Sequence, residues 1–308
     1  MRDLRIIYMG TPEFSVPGLE LLIKNNFNVV AVVTAPDKPS GRGLKLTPSP
    51  VKVFAERYNI PVLQPNKLKS PEFLEELTSY KANLQVVVAF RMLPEVVWNM
   101  PEYGTFNLHA SLLPAYRGAA PINWAIINGE KETGVTTFFL NKDIDTGDII
   151  FQEKTPIDHD ENTESLYNRL MQLGSTLILK TVKEIQQGTP ETSIQKEEEA
   201  QKPAPKIFKN DCKIDFSKPA EEVRNFIRGM APYPAAWTEI EGKTFKILSA
   251  EVANFEEEPV FEHDKNYTTD NKSYLAFQTG DGLLSVKELQ MEGKKKMSIQ
   301  DFFRGNKL

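Results

Sequence analysis

Runs of apolar, β-branched residues alternate with amphipathic stretches through the first half of the chain. By period, this pattern predicts strands near 4–9, 28–34, 60–64, 84–90 and 104–109. It predicts helices near 14–25, 49–58, 70–80, 117–128 and 163–188 from helical apolar spacing and nearby cap residues. Two more strands are expected at 135–140 and 149–156, flanking an acidic turn. Strands alternating with helices build βαβ units, so a mostly parallel, doubly wound sheet follows, with ligands beyond the carboxyl ends of its strands. From Gly188 the period lapses through Thr189-Pro190-Glu191, Lys196-Glu197-Glu198-Glu199 and Lys202-Pro203-Ala204-Pro205, the composition of a linker. Beyond it the pattern predicts a helix near 218–229 and short strands near 235–240, 243–252, 273–279 and 282–290. With Gly turns at Gly242 and Gly282, these suggest a small β-barrel, and the polar stretch 254–272 is expected to be a long loop. The expected division is 1–189, a linker over 190–206, and 207–308.

Length supports two domains, since 308 residues exceed the usual size of one. A net charge of -5 argues against generic polyanion binding, although a local basic surface can still hold nucleic acid. No apolar run reaches membrane-spanning length, and Met1 to Gly10 reads as a first strand rather than a cleavable signal, so a cytoplasmic location without membrane contact is expected. The single cysteine, Cys212, excludes an intrachain disulfide and fits a reducing compartment.

Several chemistries are excluded by spacing. Gly10-Thr11-Pro12-Glu13 follows a strand and opens a helix, but it has neither the three-glycine dinucleotide fingerprint nor the phosphate-loop lysine. Asn141-Lys142-Asp143-Ile144-Asp145 imitates the start of a calcium loop, yet its glycine, Gly147, falls one place late and position twelve is Gln152. None of the three histidines has zinc-ligand spacing, so no metal is expected, and His159 and His263 lie in polar surroundings.

His109 stands apart because it ends an apolar strand, with Asn107 two positions before it. Side chains two apart in a strand share a face, so Asn107 and His109 point one way while Phe106 and Leu108 pack on the other. Asp145-Thr146-Gly147-Asp148 brings a carboxylate at a later strand end. Acyl transfer needs donors aimed at a developing oxyanion, a group that accepts and returns a proton, and a carboxylate that fixes the imidazole. Asn107, His109 and Asp145 can fill those roles in turn. The small residues from Gly118 to Ala120 remove bulk where backbone must approach something closely.

Asn107-Leu108-His109-Ala110-Ser111-Leu112-Leu113-Pro114, then Tyr116-Arg117-Gly118-Ala119-Ala120-Pro121-Ile122, then Asp145-Thr146-Gly147-Asp148 resemble the methionyl-tRNA formyltransferase family. The resemblance extends forward to Met9-Gly10-Thr11-Pro12-Glu13-Phe14 and to the stretch from Pro36 to Lys52. It extends back to Ile214-Asp215-Phe216, the stretch from Arg228 to Trp237, and Asp301-Phe302-Phe303-Arg304-Gly305. It implies a Rossmann-like catalytic domain and a C-terminal OB-like, tRNA-binding barrel. It also implies 10-formyltetrahydrofolate as formyl donor and the α-amino group of initiator methionyl-tRNA as acceptor. Ser111, Leu112, Leu113 and Pro114 would then contact the folate, with Phe90 and Met92. Phe90-Arg91-Met92-Leu93-Pro94 departs from the family pattern, which carries a Gly-containing, slightly longer segment before Leu-Pro.

Between 37 and 52, Lys38, Arg42, Lys45 and Lys52 outweigh Asp37, a local excess of three positive charges. Pro and Gly there forbid regular helix, so a mobile loop is expected, solvated in isolation. Given the family resemblance, this loop enters the acceptor-stem region, where Arg42 contacts phosphates or base edges. Lys202, Lys206, Lys209 and Lys213 against Asp211 form a second basic run, so Lys206 and Lys209 join Arg42, Lys38 and Lys45 as expected tRNA contacts. Phe14 either lines an apolar pocket for the methionyl side chain or packs in the core. Arg117 either pairs with a carboxylate or touches the tRNA end. Alternatives are a formyltransferase acting on an amino-sugar nucleotide or on glycinamide ribonucleotide, or a tRNA-binding module without catalysis. Nothing in the chain demands more than a monomer.

Overall fold

The computed structural model describes residues 1–40, 45–199, 202–253, 255 and 259–308. Its elements run β1 (Arg5–Gly10), α1 (Val16–Lys24), β2 (Asn28–Val33), a hairpin of β3 (Lys38–Ser40) and β4 (Lys45–Thr47), and α2 (Pro50–Arg57). There follow β5 (Val62–Leu63), α3 (Pro71–Ser79), β6 (Leu84–Val88), α4 (Glu95–Trp98), β7 (Thr105–His109), α5 (Pro121–Ile127), β8 (Glu132–Phe139), β9 (Ile149–Pro156) and α6 (Thr163–Gln187). The remainder holds α7 (Ala220–Met230), β10 (Ala236–Ile240), β11 (Lys243–Ala253), β12 (Tyr267–Thr269), β13 (Leu275–Gln278), β14 (Leu283–Met291), β15 (Met297–Ser298) and α8 (Ile299–Phe303).

Packing separates two compact units. One comprises 1–118, 133–155 and 167–203; the other comprises 119–132, 156–166 and 204–308. In the first, a seven-stranded sheet has the order β5-β2-β1-β6-β7-β8-β9. β1, β2, β5, β6 and β7 are mutually parallel, and β8 runs antiparallel to β7. Ile6, Ile7, Tyr8 and Met9 of the central β1 are wholly buried, which is why that strand reads as a continuous apolar run rather than an alternation. The order reverses between β1 and β6, opening a crevice beyond Gly10 and Val88. Ser15 spans that point, its buried hydroxyl donating to the Val88 carbonyl at 2.8 Å.

Helix starts follow their cap chemistry. Ser49 and Ser70 accept from the backbone N–H of Lys52 and Phe73, and Pro50 and Pro71 occupy the first turn, where a missing N–H costs nothing. α5 begins at Pro121 rather than near 117, because Tyr116 and Gly118 take positive φ (62° and 123°) that no helix accommodates. Segment 38–47 is a β-hairpin in its described part, pairing Lys38 with Thr47, Pro39 with Leu46 and Ser40 with Lys45, rather than an irregular loop. Two-stranded pairing tolerates Pro39 as an edge residue, which helix does not.

In the second unit the sheet order is β10-β11-β14-β13-β12, antiparallel throughout, with β15 also paired to β14. Register shifts in β11 around Ser249 bend the sheet toward a barrel, as bulges do. Val223, Ile227 and Met230 make one stripe of α7 and pack into a core with Cys212, Phe245, Ile247, Leu284 and Leu289. Burial there pushes the Cys212 thiol up. β12 lies inside the stretch expected to be a loop, and its three residues are too few to show alternation between polar flanks. α8 and β15 likewise escape the hydrophobic pattern by their shortness. Among the described residues no helix is long and apolar enough to cross a membrane.

The turn between β12 and β13 is built on Asp270. Its carboxylate accepts the backbone N–H groups of Lys272 (2.9 Å), Ser273 (2.7 Å) and Tyr274 (3.2 Å), and the Ser273 hydroxyl (2.6 Å). Burial alone would raise its pKa, but these donors outweigh burial and hold the carboxyl well below the usual carboxylate range. A carboxyl depressed in the folded state stabilises above its unfolded pKa and loses that contribution as pH falls. Asp270→Ala is therefore expected to lower the urea midpoint at neutral pH, with the gap to wild type closing below about pH 4. A gap independent of pH would show that the carboxylate's charge is not what holds this turn.

Candidate active site

β7 carries Asn107 at its centre and His109 at its last position. Phe106 and Leu108 are buried on the opposite face, as the strand alternation predicts. Across the sheet Asn107 faces Val87 and Phe138, and His109 faces Thr136. Among the described residues the Asn107 carboxamide oxygen, Oδ1, is buried without a hydrogen-bond partner. Leaving a buried polar group unmet costs about 1–3 kcal/mol, so such a group in a native fold calls for an explanation such as a ligand contact.

His109 is buried, with 6% of its surface exposed. Its Nε2 lies 2.8 Å from the Tyr116 carbonyl oxygen. A carbonyl only accepts, so Nε2 carries a hydrogen and donates, leaving Nδ1 to face the carboxylate of Asp145. That distance is 3.8 Å from Nδ1 to Oδ2, a charge contact longer than a hydrogen bond. The sequence expects Asp145 to orient the ring; the ring's hydrogen bond goes to the Tyr116 carbonyl, with the carboxylate facing Nδ1. Oδ2 of Asp145 instead accepts the Gly118 N–H at 2.9 Å.

Both loops are fixed from behind. After His109, the Ser111 hydroxyl donates to the Ala115 carbonyl (2.7 Å), and Thr136 Oγ1 donates to the Ser111 carbonyl while accepting the Leu113 N–H (2.7 and 3.1 Å). Gln152 Nε2 adds a bond to the Leu113 carbonyl at 2.8 Å, so Ser111, Leu112, Leu113 and Pro114 lie on a strapped turn directly after the imidazole. The Asp145 turn has φ +56° at Asp145 itself. A Cβ on Gly147 would sit 1.7 Å from the Phe139 carbonyl oxygen, so only glycine lets the chain pass there.

Sequence reasoning missed one side chain altogether. Gln195, 6% exposed, donates through Nε2 to the carbonyls of Asp145 (2.9 Å) and Gly147 (2.8 Å). Its Oε1 accepts from Arg117 Nε (3.1 Å) and Nη2 (2.8 Å). Arg117 also pairs with Glu197 at 3.0 Å, which favours its structural alternative. The signal was present as an amide inside a charged linker, but no periodicity marks such a residue. The Tyr116 carbonyl and Gly118 N–H are backbone groups, invisible to residue type.

The remaining expected residues occupy varied places. Phe90 follows the carboxyl end of β6, the strand next to β7, and packs against the core. Met92 lines a cavity of about 290 Å³ with Leu68, Lys69, Arg91, Leu93 and Pro94. Arg91 bonds the carbonyls of Pro65 and Asn66, its Nε is buried without a partner among the described residues, and burial pushes its pKa down. Phe14 is buried, its N–H donating to the Tyr167 hydroxyl at 3.0 Å and its ring set edge-on to Tyr167 at 5.2 Å. Lys38 and Lys45 lie on β3 and β4, while Arg42 falls outside the described residues. Lys52 pairs with Asp37 at 2.7 Å, so the excess positive charge of that segment rests on Lys38, Arg42 and Lys45. In the second unit Lys206 lies over the exposed ring of Phe208 at 5.2 Å, and the Lys209 carbonyl accepts from the Trp237 indole at 3.0 Å. The side chains of His159 and His263 are exposed.

The formyl transferase family model matches residues 4–182, and the model of the formyl transferase C-terminal domain matches 206–307. The chain is 51% identical to the methionyl-tRNA formyltransferase of Parabacteroides distasonis, covering 99% of this chain and 96% of that protein. It is 52% identical to the methionyl-tRNA formyltransferase of Phocaeicola vulgatus, covering 99% and 96%. Among solved structures it is similar to WlaRD, a sugar 3N-formyl transferase crystallised with dTDP and 5-N-formyl-THF. That likeness has a TM-score of 0.67 at 22% identity, covering 96% of this chain and all of the other, and it speaks to the fold. With a Rossmann-like sheet, a curled β-sheet unit and this extent of identity, the chain belongs to the methionyl-tRNA formyltransferase family.

Proposed function

We propose that this protein moves the formyl group of 10-formyltetrahydrofolate onto the α-amino group of initiator methionyl-tRNA, yielding N-formylmethionyl-tRNA for translation initiation. One observation carries the chemistry. Asn107, whose buried Oδ1 has no hydrogen-bond partner among the described residues, shares a strand face with His109, whose Nδ1 stands 3.8 Å from the Asp145 carboxylate. Identity of about half over nearly the whole length of relatives named for methionyl-tRNA supports the acceptor over an amino-sugar nucleotide.

The methionyl amine attacks the formyl carbon unprotonated. As the new C–N bond forms, charge gathers on the formyl oxygen, and the bond to the folate nitrogen then breaks. Asn107 Nδ2 donates to that oxygen, and its Oδ1 accepts from the attacking amine. His109, held through Nε2 by Tyr116, uses Nδ1 as the second donor. Asp145 faces the imidazolium and, through a water, relays the proton lost by the amine to the departing folate nitrogen. General acid–base help of this kind is worth about 10²–10⁴ in rate.

Ser111, Leu112, Leu113 and Pro114, with Phe90 and Met92, form the folate side of the site in this proposal. Phe14 borders the methionyl side chain through the part of its ring not turned to Tyr167. Lys38, Arg42 and Lys45 from the first unit, and Lys206 and Lys209 from the second, contact tRNA phosphates. The functional division follows as a catalytic segment 1–189, a linker 190–206 and a tRNA-binding segment 207–308, acting in the cytoplasm as a monomer.

Asn107→Ala, His109→Ala and Asp145→Ala are each expected to lower the single-turnover rate by about 10²–10³ with tRNA affinity nearly unchanged. A near-normal rate in any one removes its assigned role, and a parallel assay with an amino-sugar nucleotide separates the two acceptors. If about four phosphates are neutralised, log K for tRNA should fall with log salt at a slope of about -3 to -4. An affinity indifferent to salt would remove the lysine contacts from this account.

A further inference from the structure

Gln195 lies outside every residue that carries the chemistry above, yet its carboxamide uses its full bonding capacity at the site's edge. Both Nε2 hydrogens go to carbonyls of the Asp145 turn, at Asp145 and Gly147. Both Oε1 lone pairs go to one guanidinium, that of Arg117. Only a carboxamide can do this, because the site requires two donors on one atom and two acceptors on the other. A glutamate of the same size would set oxygen against oxygen.

These bonds close a ring. Arg117 is covalently joined to Gly118, whose N–H holds Asp145 Oδ2. Tyr116, on the other side of Arg117, presents the carbonyl that anchors His109 Nε2. Gln195 therefore ties the turn bearing the carboxylate to the turn that seats the imidazole. Its own segment is pinned by paired backbone bonds between Ile149 and Ser193, at 2.8 and 2.9 Å. Two features show that the Asp145 turn needs such support. Asp145 adopts left-handed φ, and Gly147 passes against the Phe139 carbonyl with no room for a Cβ.

We infer that Gln195 is a positioning residue for formyl transfer, setting the Asp145 carboxylate relative to His109, an inference that rests on the catalytic reading of that pair. Displacement of a catalytic group by about 1 Å can cost about 10²-fold in rate. Gln195→Leu, which keeps the volume and removes every bond, is expected to lower kcat about 10- to 100-fold while KM for folate and for methionyl-tRNA changes less than about 3-fold. Arg117→Met, which frees Oε1 but keeps the amide, is expected to lower kcat more mildly and carries the test if the first variant does not fold.

A double-mutant cycle on the full-length protein, read by single-turnover formylation, separates positioning from general support. In an Asp145→Ala background either substitution should lower the rate less than about 2-fold, because the group it positions is gone. A loss that persists undiminished in that background, or wild-type kcat in Gln195→Leu beside a crippled Asp145→Ala, overturns the positioning role alone. Normal transfer by Asp145→Ala overturns the catalytic reading and this inference with it.

Discussion

Asp145 Oδ2 accepts the Gly118 N–H at 2.9 Å, and through that one oxygen the loop after β8 is joined to the loop after β7. The placement of this carboxylate beside the ring depends on this junction. The carboxylate stands on a left-handed turn that leans on a glycine too confined for any side chain. The imidazole stands at a strand end, tethered by the carbonyl of Tyr116, two residues before Gly118. Neither turn alone brings charge within 3.8 Å of the ring. A short backbone hydrogen bond to a charged acceptor is among the stronger non-covalent links available, and it has a definite direction.

The sheet explains why these loops can meet at all. β6 and β7 are parallel neighbours, so their carboxyl ends open onto one edge. β8 then runs antiparallel to β7, which returns the chain and sets Thr136 opposite His109. Thr136 is buried at that return and bonds the Ser111 turn. A β-hydroxyl residue therefore does here what an apolar one could not, satisfying the backbone of a turn that the core would otherwise leave unbonded.

The second unit follows a different logic. α7 covers a bent antiparallel sheet with an apolar stripe, and its buried arginines serve the unit's own loops. Arg224 bonds the His159 carbonyl, and Arg228 donates to the Glu161 carbonyl at 2.9 Å, with burial pushing the Arg228 pKa down. Those cations are committed to structure. Two lysines of the run from Lys206 to Lys213 lie instead over aromatic faces, Lys206 on Phe208 and Lys213 on Trp237, where charge stays at the surface.

Hydrophobic periodicity alone carried the alternation of strands and helices, the doubly wound sheet and the existence of a smaller β unit, because long apolar runs are decided by burial. It also placed Asn107 and His109 on one face of a strand, since that follows from a two-residue repeat. Short elements such as α4, β12, β15 and α8 stayed hidden, as two to five residues cannot display a period. The Pro-rich basic stretch looked structureless because propensity speaks against helix and is silent on a two-stranded pairing. Asp145 was legible as a residue, but its distance from His109 was not. Only the tertiary structure chose the Tyr116 carbonyl as the ring's anchor, Gly118 as the carboxylate's donor and Gln195 as the clasp between them. Backbone groups have no letter in a sequence, and a contact between residues 50 apart is set by how the intervening strands pack rather than by any local preference.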